Sequence, residues 1–275
     1  MTCVETTSFF GLVINAAKSF IYFGGVGADL KQVIPHDTGF SEGIFPFKYL
    51  GVPLSLHKLL VSQFSLLFHK LEAAVQSWTR KHLSYAGKLE LLRSVLFSIV
   101  QFWLGIFPIL GTVISHIISL CRIFLWSGNI NSHNSTAVAW KKTCLPKYEG
   151  GLGLLDIKAR NKSFLAKQLW NIHLKTNFIW ILWIHHFYLN GCSIWEVHSH
   201  RTSSPMWKSI ISLKDELVKC CEGQAATITL MSGWYSSAKH FLPSAYDFLR
   251  ARGAKVAWDR VVWKPWSMPR YNFIL

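Results

Sequence analysis

Acidic residues are scarce in this chain: 14 Asp and Glu stand against 29 Lys and Arg, a formal charge of +15. No two aspartates are adjacent, and the only neighbouring acids are Asp215 and Glu216. Two-metal nucleotidyl transfer needs carboxylates that hold a pair of divalent ions about 4 Å apart, so no catalytic residue is assigned and no polymerase chemistry is expected. The six cysteines (Cys3, Cys121, Cys144, Cys192, Cys220, Cys221) include no Cys-x-x-Cys and no Cys/His cluster at zinc-ligand spacing. Reduced thiols, no metal and no cofactor are expected. The N-terminus carries Glu5 and no basic start followed by an apolar run, so an intracellular protein without a signal peptide is expected, nuclear or cytoplasmic. Fixed-period repeats and low-complexity tracts are also missing.

What is abundant is apolar surface, at 51% of residues, enough for a core and too much for disorder. The excess of positive charge would concentrate a polyanion around the protein, making nucleic acid the natural partner. The plainer alternative is that the charge serves only solubility. From Ser94 to Cys121 there is no Asp, Glu, Lys or Arg, and such a run exceeds the roughly 20 residues that cross a bilayer. Pro108 and Gly111 split it, and Gln101 and His116 interrupt it. Two buried amphipathic helices fit better than a membrane span.

Local patterning predicts a mainly α protein with a short antiparallel β element at its start. Residues 19 to 23 are aromatic and β-branched and end at Gly24-Gly25, and a second extended piece runs from Phe47 to Pro53. These two are expected to pair. Leu60, Phe64, Leu67, Leu71, Ala74 and Trp78 then recur at helical spacing. Leu89, Leu92, Leu96, Ile99 and Trp103 mark a second helix ended by Pro108, and Val113, Ile117, Leu120 and Phe124 a third. The three should form a bundle. Asp156 is placed to cap a helix running to about His173. Further helices are expected at 177 to 188, 205 to 221 and 245 to 250, with an extended, proline-broken segment after Val261.

The run Ala139-Trp140-Lys141-Lys142-Thr143-Cys144-Leu145-Pro146-Lys147-Tyr148-Glu149-Gly150-Gly151-Leu152-Gly153-Leu154-Leu155 resembles the block that follows the polymerase core in plant-type non-LTR (LINE) retrotransposon reverse transcriptases. Other pieces resemble the same family in the same order. Gly11-Leu12 with Asn15 and Lys18-Ser19 is similar to the motif after the catalytic strand-turn-strand of the palm, and Phe47 to Leu54 to the hairpin that holds the primer end. Trp78-Thr79 through Lys88 is similar to the thumb entry, and Cys121-Arg122 through Gly128 to its continuation. Ala245 to Arg250, with Trp263 to Arg270, resembles the opening of the appended zinc-binding region. The resemblance implies a palm remnant with a primer-grip-like hairpin at 1 to 56, a thumb-like bundle at 57 to 128 and connection helices at 129 to 222. At 223 to 275 it implies the truncated start of the zinc-binding region. It also implies that the catalytic Tyr-x-Asp-Asp element lies upstream and the zinc ligands downstream, so both ends look cut.

For function, the resemblance and the charge pattern together predict a reverse transcriptase fragment that binds RNA or DNA weakly and without sequence preference. Its candidate contacts are Lys48, Tyr49 and Gly51 on the hairpin and Arg80, Lys81 and Lys88 at the thumb entry. Lys141, Lys142, Lys147, Lys158, Arg160 and Lys162 add a strongly positive interval. Lysine and arginine hold phosphates without reading sequence. In the family a lysine at the position of Lys18 is linked to protonating the departing pyrophosphate; with no metals to act beside, Lys18 is expected to be an ordinary exposed lysine. The tryptophans recur with Leu and Ile at helical spacing and are expected in the core rather than as stacking platforms. His185-His186 and Cys220-Cys221 complete no ligand set. Two alternatives stand beside the main reading: an interaction protein that self-associates through exposed apolar surface, and a membrane-associated protein using residues 94 to 121.

Overall fold

A computed structural model describes residues 15, 18–49, 51–55, 59–79, 83–127, 138–236 and 240–259. Among the described residues helices dominate, and strand is confined to two ladders of two strands each. By its contacts the chain forms two compact units, residues 1–63 and 64–275.

In the first unit, β1 (Phe20–Ile21) pairs in parallel with β2 (Ser41–Glu42), and α1 (Ala28–Thr38) makes the crossover. A parallel pair needs a connection of about a dozen residues or more, which the stretch from Tyr22 to Phe40 supplies. Gly39, at φ 70°, ends α1 with its N–H donating to the Pro35 carbonyl. β3 (Phe47–Tyr49) and β4 (Val52–Leu54) form an antiparallel hairpin turning at Gly51, whose φ of 82° favours glycine. The expected pairing of residues 19 to 23 with 47 to 53 is therefore corrected: the second piece folds on itself at Gly51 and leaves β1 to take β2. The two ladders still meet through rings, since Tyr22 stacks on Phe47 with centroids 3.7 Å apart and meets Phe45 edge-on at 5.4 Å.

The second unit opens with α2 (Ser65–Thr79), which buries Leu67, Leu71 and Val75. Leu60 falls outside it and is exposed. α3 (Tyr85–Leu91) continues through a π turn at Leu92–Leu96 into α4 (Phe97–Ile106). Leu92, Leu96 and Trp103 are buried as the spacing predicts, and between them Val100 is buried while Ile99 is half-buried. Residues 85–106 are long and apolar enough to cross a membrane by length and composition. Leu92, Leu96, Val100 and Trp103 nevertheless all face the protein core. α5 (Gly111–Trp126) buries Val113, Ile117, Leu120 and Phe124, as its spacing predicts, and packs on α2 and α3.

Beyond the short α6 (Trp140–Thr143), α7 (Ile157–His173) begins at Asp156, whose carboxylate accepts the Lys158 and Ala159 N–H groups. α8 (Ile179–Ile184) runs on through a π turn at His185–Leu189, and α9 (Pro205–Cys220) is capped by Ser204. α10 (Gln224–Ser236) and α11 (Phe241–Leu249) close the fold. Met231, Trp234, Phe241 and Ala245 share one buried cluster with Leu169, Trp207 and Leu217. The predicted extended segment after Val261 lies outside the described residues.

Candidate nucleic-acid interface

The loop from Ala139 to Lys158 is held by its own backbone. The Thr143 carbonyl accepts the N–H groups of Leu152 and Leu154, and the Leu145 carbonyl accepts that of Gly153 at 2.8 Å. Leu152, Leu154 and Ile157 are fully buried and anchor it. At Gly151 a Cβ would lie 2.0 Å from the Leu145 carbonyl oxygen, so only glycine passes there. Gly150 and Gly153 have φ of 80° and 67°, the left-handed region that glycine enters without strain. Gly150, Gly151 and Gly153 are thus required by the backbone path.

Glu149 fixes the loop to the far end of the chain. Both of its oxygens accept from Arg250, at 2.9 and 2.8 Å, and one also accepts the Gly253 N–H at 2.9 Å. The two side chains are only 7% and 8% exposed, so this is a buried, bidentate, charge-assisted pair. Arg250 also donates to the Tyr148 hydroxyl, and the Val256 N–H donates to the Tyr148 carbonyl. The Arg250 hydrogen bonds hold the Glu149 carboxyl below the usual carboxylate range, and Glu149 in turn raises Arg250. On the other side Arg93 donates to the Leu152 carbonyl, and the Asp156 N–H donates to the Tyr246 hydroxyl at 3.0 Å. Burial pushes the Cys144 thiol in this loop up to about 12, which suits packing rather than reactivity.

The consequence is electrostatic. Both acids of the loop are committed internally, Glu149 to Arg250 and Asp156 to the first turn of α7. Lys141, Lys142, Lys147 and Lys158 are all exposed. The loop therefore presents these lysines while both of its acids accept hydrogen bonds from within the protein. Two further candidates from the same interval are used within the protein. Arg160 donates to Gln101 Oε1 at 2.9 Å and lies over the rings of Phe164 and Tyr246, and burial lowers its pKa. Lys162 holds Glu216 at 2.8 Å. Both candidates thus already have a partner within the protein, Arg160 in a partly buried position and Lys162 in an exposed ion pair.

Among the remaining candidates, Lys48 and Tyr49 are exposed on β3 with Gly51 at the adjoining turn, all within the first unit. Lys88 is half-buried in α3. Arg80 and Lys81 lie outside the described residues. Lys18 is exposed. Asp215 is exposed and lies 3.2 Å from the buried Lys214. His185 contacts the Ile172 carbonyl at 2.8 Å, and among the described residues no group of three or more His, Cys, Asp or Glu could hold a metal ion. Sequence reasoning missed Arg250 and Tyr246, because each meets its partner about a hundred positions away and neither has a local signal.

No protein-family model matches the chain. Over 168 residues, 60% of its length, the chain is 29% identical to an Arabidopsis thaliana protein named "Putative ribonuclease H protein". It spans 27% of that relative, so it is similar to one part of a much longer plant protein.

Proposed function

We propose that the chain corresponds to the end of the palm, the thumb and the connection of a non-LTR retrotransposon reverse transcriptase. In this reading it binds RNA or DNA without sequence preference and has no catalytic centre of its own. The helices α2 to α5 take the place of the thumb, and the β3–β4 hairpin that of the primer grip. The observation that carries the binding reading is the loop from 139 to 158, where Glu149 is paired with Arg250 and Asp156 caps α7 while Lys141, Lys142, Lys147 and Lys158 are exposed. Similarity to part of a plant protein whose name refers to ribonuclease H supports the retroelement setting.

The test is a salt titration of affinity for a structured RNA. The Lys141→Glu, Lys142→Glu, Lys147→Glu triple variant should bind more weakly and show a flatter dependence on salt, because each lost phosphate contact removes released counterions, about 0.7 to 0.9 of an ion per contact. Sequence preference should not change. Equal affinity and slope for parent and variant would overturn the reading. With template-primer, dNTPs and Mg²⁺ the chain should extend no primer, and metal-dependent incorporation by the pure protein would overturn the absence of a catalytic centre.

A further inference from the structure

Along the helical stretch Ile179–Leu189, formed by α8 and its π turn, the apolar side chains divide between two sides. Ile181, Ile184 and Leu189 are buried. On the other side Ile179 is 89% exposed, Trp183 49% and Phe187 65%, with Leu182 beside them at 43%. Residues 179, 183 and 187 follow one another at four-residue steps, which places them on one ridge, and the Trp183 and Phe187 rings lie 5.3 Å apart. Phe178, 57% exposed, extends the ridge at its start. Single exposed apolar residues are ordinary, but a contiguous ridge of this kind marks an interaction surface.

The charge around the ridge says what would cover it. From Ile157 to Trp195 the sequence contains no Asp or Glu, and the exposed Lys175 and His186 stand three positions before the ridge and one before its last ring. The next acid, Glu196, accepts from the Ser193 N–H in its own turn. The packed neighbours are α7, which is acid-free, and the start of α9, where Trp207 meets Tyr188. The acids of α9, Asp215 and Glu216, lie about 12 Å further along that helix at 1.5 Å per residue, and each faces a lysine. A second copy of a chain carrying +15 would bring like charge to this face. Two aliphatic side chains among the five, Ile179 and Leu182, suit helix packing better than base stacking.

We propose that the ridge from Phe178 to Phe187 is a docking site for an acidic amphipathic helix of another protein, its apolar face laid along the ridge and its carboxylates toward Lys175 and His186. This surface is separate from the loop lysines, so the proposal stands whether or not the loop binds nucleic acid.

The experiment uses the full chain and follows tryptophan fluorescence and peptide anisotropy. The probe is a synthetic amphipathic helix with leucines at i, i+3, i+4 and i+7 and glutamates flanking them, and its control carries lysine for every glutamate. The acidic peptide should bind at least about tenfold more tightly than the basic one, as expected for complementary against like charge. The Ile179→Ala, Trp183→Ala double variant should lose about tenfold or more of that affinity, as truncated anchors do. Both side chains are exposed, so its melting curve should match the parent's, and the loop triple variant should bind the peptide as the parent does. Equal binding of the two peptides, or no effect of the double variant, would overturn the proposal. So would loss of oligouridylate binding or of self-association in the double variant with no change for the peptide, since the occupant would then be a nucleic acid strand or a second copy.

Discussion

In residues 1–63 the paired strands are two or three residues long and α1 buries no side chain, whereas in residues 64–275 α5 alone buries seven. The first region is organised by a cluster of three rings and two short ladders. The second is organised by continuous apolar stripes that meet in a common core. Burial is the main source of folding free energy, at roughly 25 cal/mol per Å² of apolar surface, so stability should be very unevenly distributed along this chain. The pairing of strands in the first region follows from turn geometry, and the packing in the second from side-chain volume.

The most damaging single change should be Trp103→Ala. Trp103 is 1% exposed and packs on Phe64 with ring centroids 5.6 Å apart. A cavity of this size costs about 3–5 kcal/mol, and calorimetry should show the whole helical region melting at lower temperature. A loss under about 1 kcal/mol would mean that this core is loosely packed and that the contrast between the two regions is weaker than burial suggests.

Next comes Arg250→Ala. Removing one partner from a buried ion pair leaves the other charge without compensation, at a cost of about 3–5 kcal/mol, here reduced toward about 3 by the Gly253 N–H that still serves Glu149. The Arg250→Met, Glu149→Gln double variant should be less damaging than Arg250→Ala alone, because no charge is left buried. Chemical denaturation of the three proteins checks the order. A double variant worse than the single one would show that the pair matters for the path of the loop more than for its charge balance.

A smaller effect should appear with pH. The Glu149 carboxyl is held below its ordinary value, so the unfolded chain binds its proton first as pH falls. The stabilisation is complete above the ordinary glutamate pKa of about 4.3 and is lost as pH drops from there through the depressed folded value. Glu149→Gln should flatten this limb of the stability profile. His173 works in the same direction at higher pH: burial lowers its pKa, and its Nδ1 accepts from the Trp195 indole N–H at 3.0 Å. Its contribution is complete above about pH 6.5 and fades below it. Both limbs should be measured by denaturation between pH 3 and 8.

Where local chemistry decides the outcome, the sequence was readable. Asp156 starts α7 because its carboxylate caps it, and Ser204 and Pro205 start α9 for the same kind of reason. The α5 stripe is uninterrupted and was legible residue by residue. What escaped notice depends on distance or on irregular turns. Beside the π turn at Leu92–Leu96 Val100 is buried and Ile99 half-buried, and α10 was missed because Thr227, Met231 and Trp234 are its only buried residues among small and polar neighbours. At the candidate interface the exposed lysines were legible, but the capture of Glu149 by Arg250 and of Arg160 by Gln101 was not. Those partners are chosen by the folded chain.

The smallest expected effect is also the sharpest test of the comparison. Tyr22 stacks on Phe47 and stands over Gly43, where a Cβ would lie 2.3 Å from the ring. An aromatic pair contributes about 0.5–1.5 kcal/mol beyond its area, and in a region with so little burial that is a large part of what holds β1, β2 and the hairpin in place. Tyr22→Ala should therefore abolish slow exchange of the Gly43 amide, which donates to the Ile21 carbonyl at 2.8 Å. It should leave the melting of the helical region within about 0.5 kcal/mol of the parent, as for changes remote from a core. Hydrogen exchange reads the first quantity and calorimetry the second. If Tyr22→Ala lowered the helical melt by as much as Arg250→Ala does, the two regions would share one cooperative unit, and the strands would have to draw their stability from the helical core rather than from their own rings.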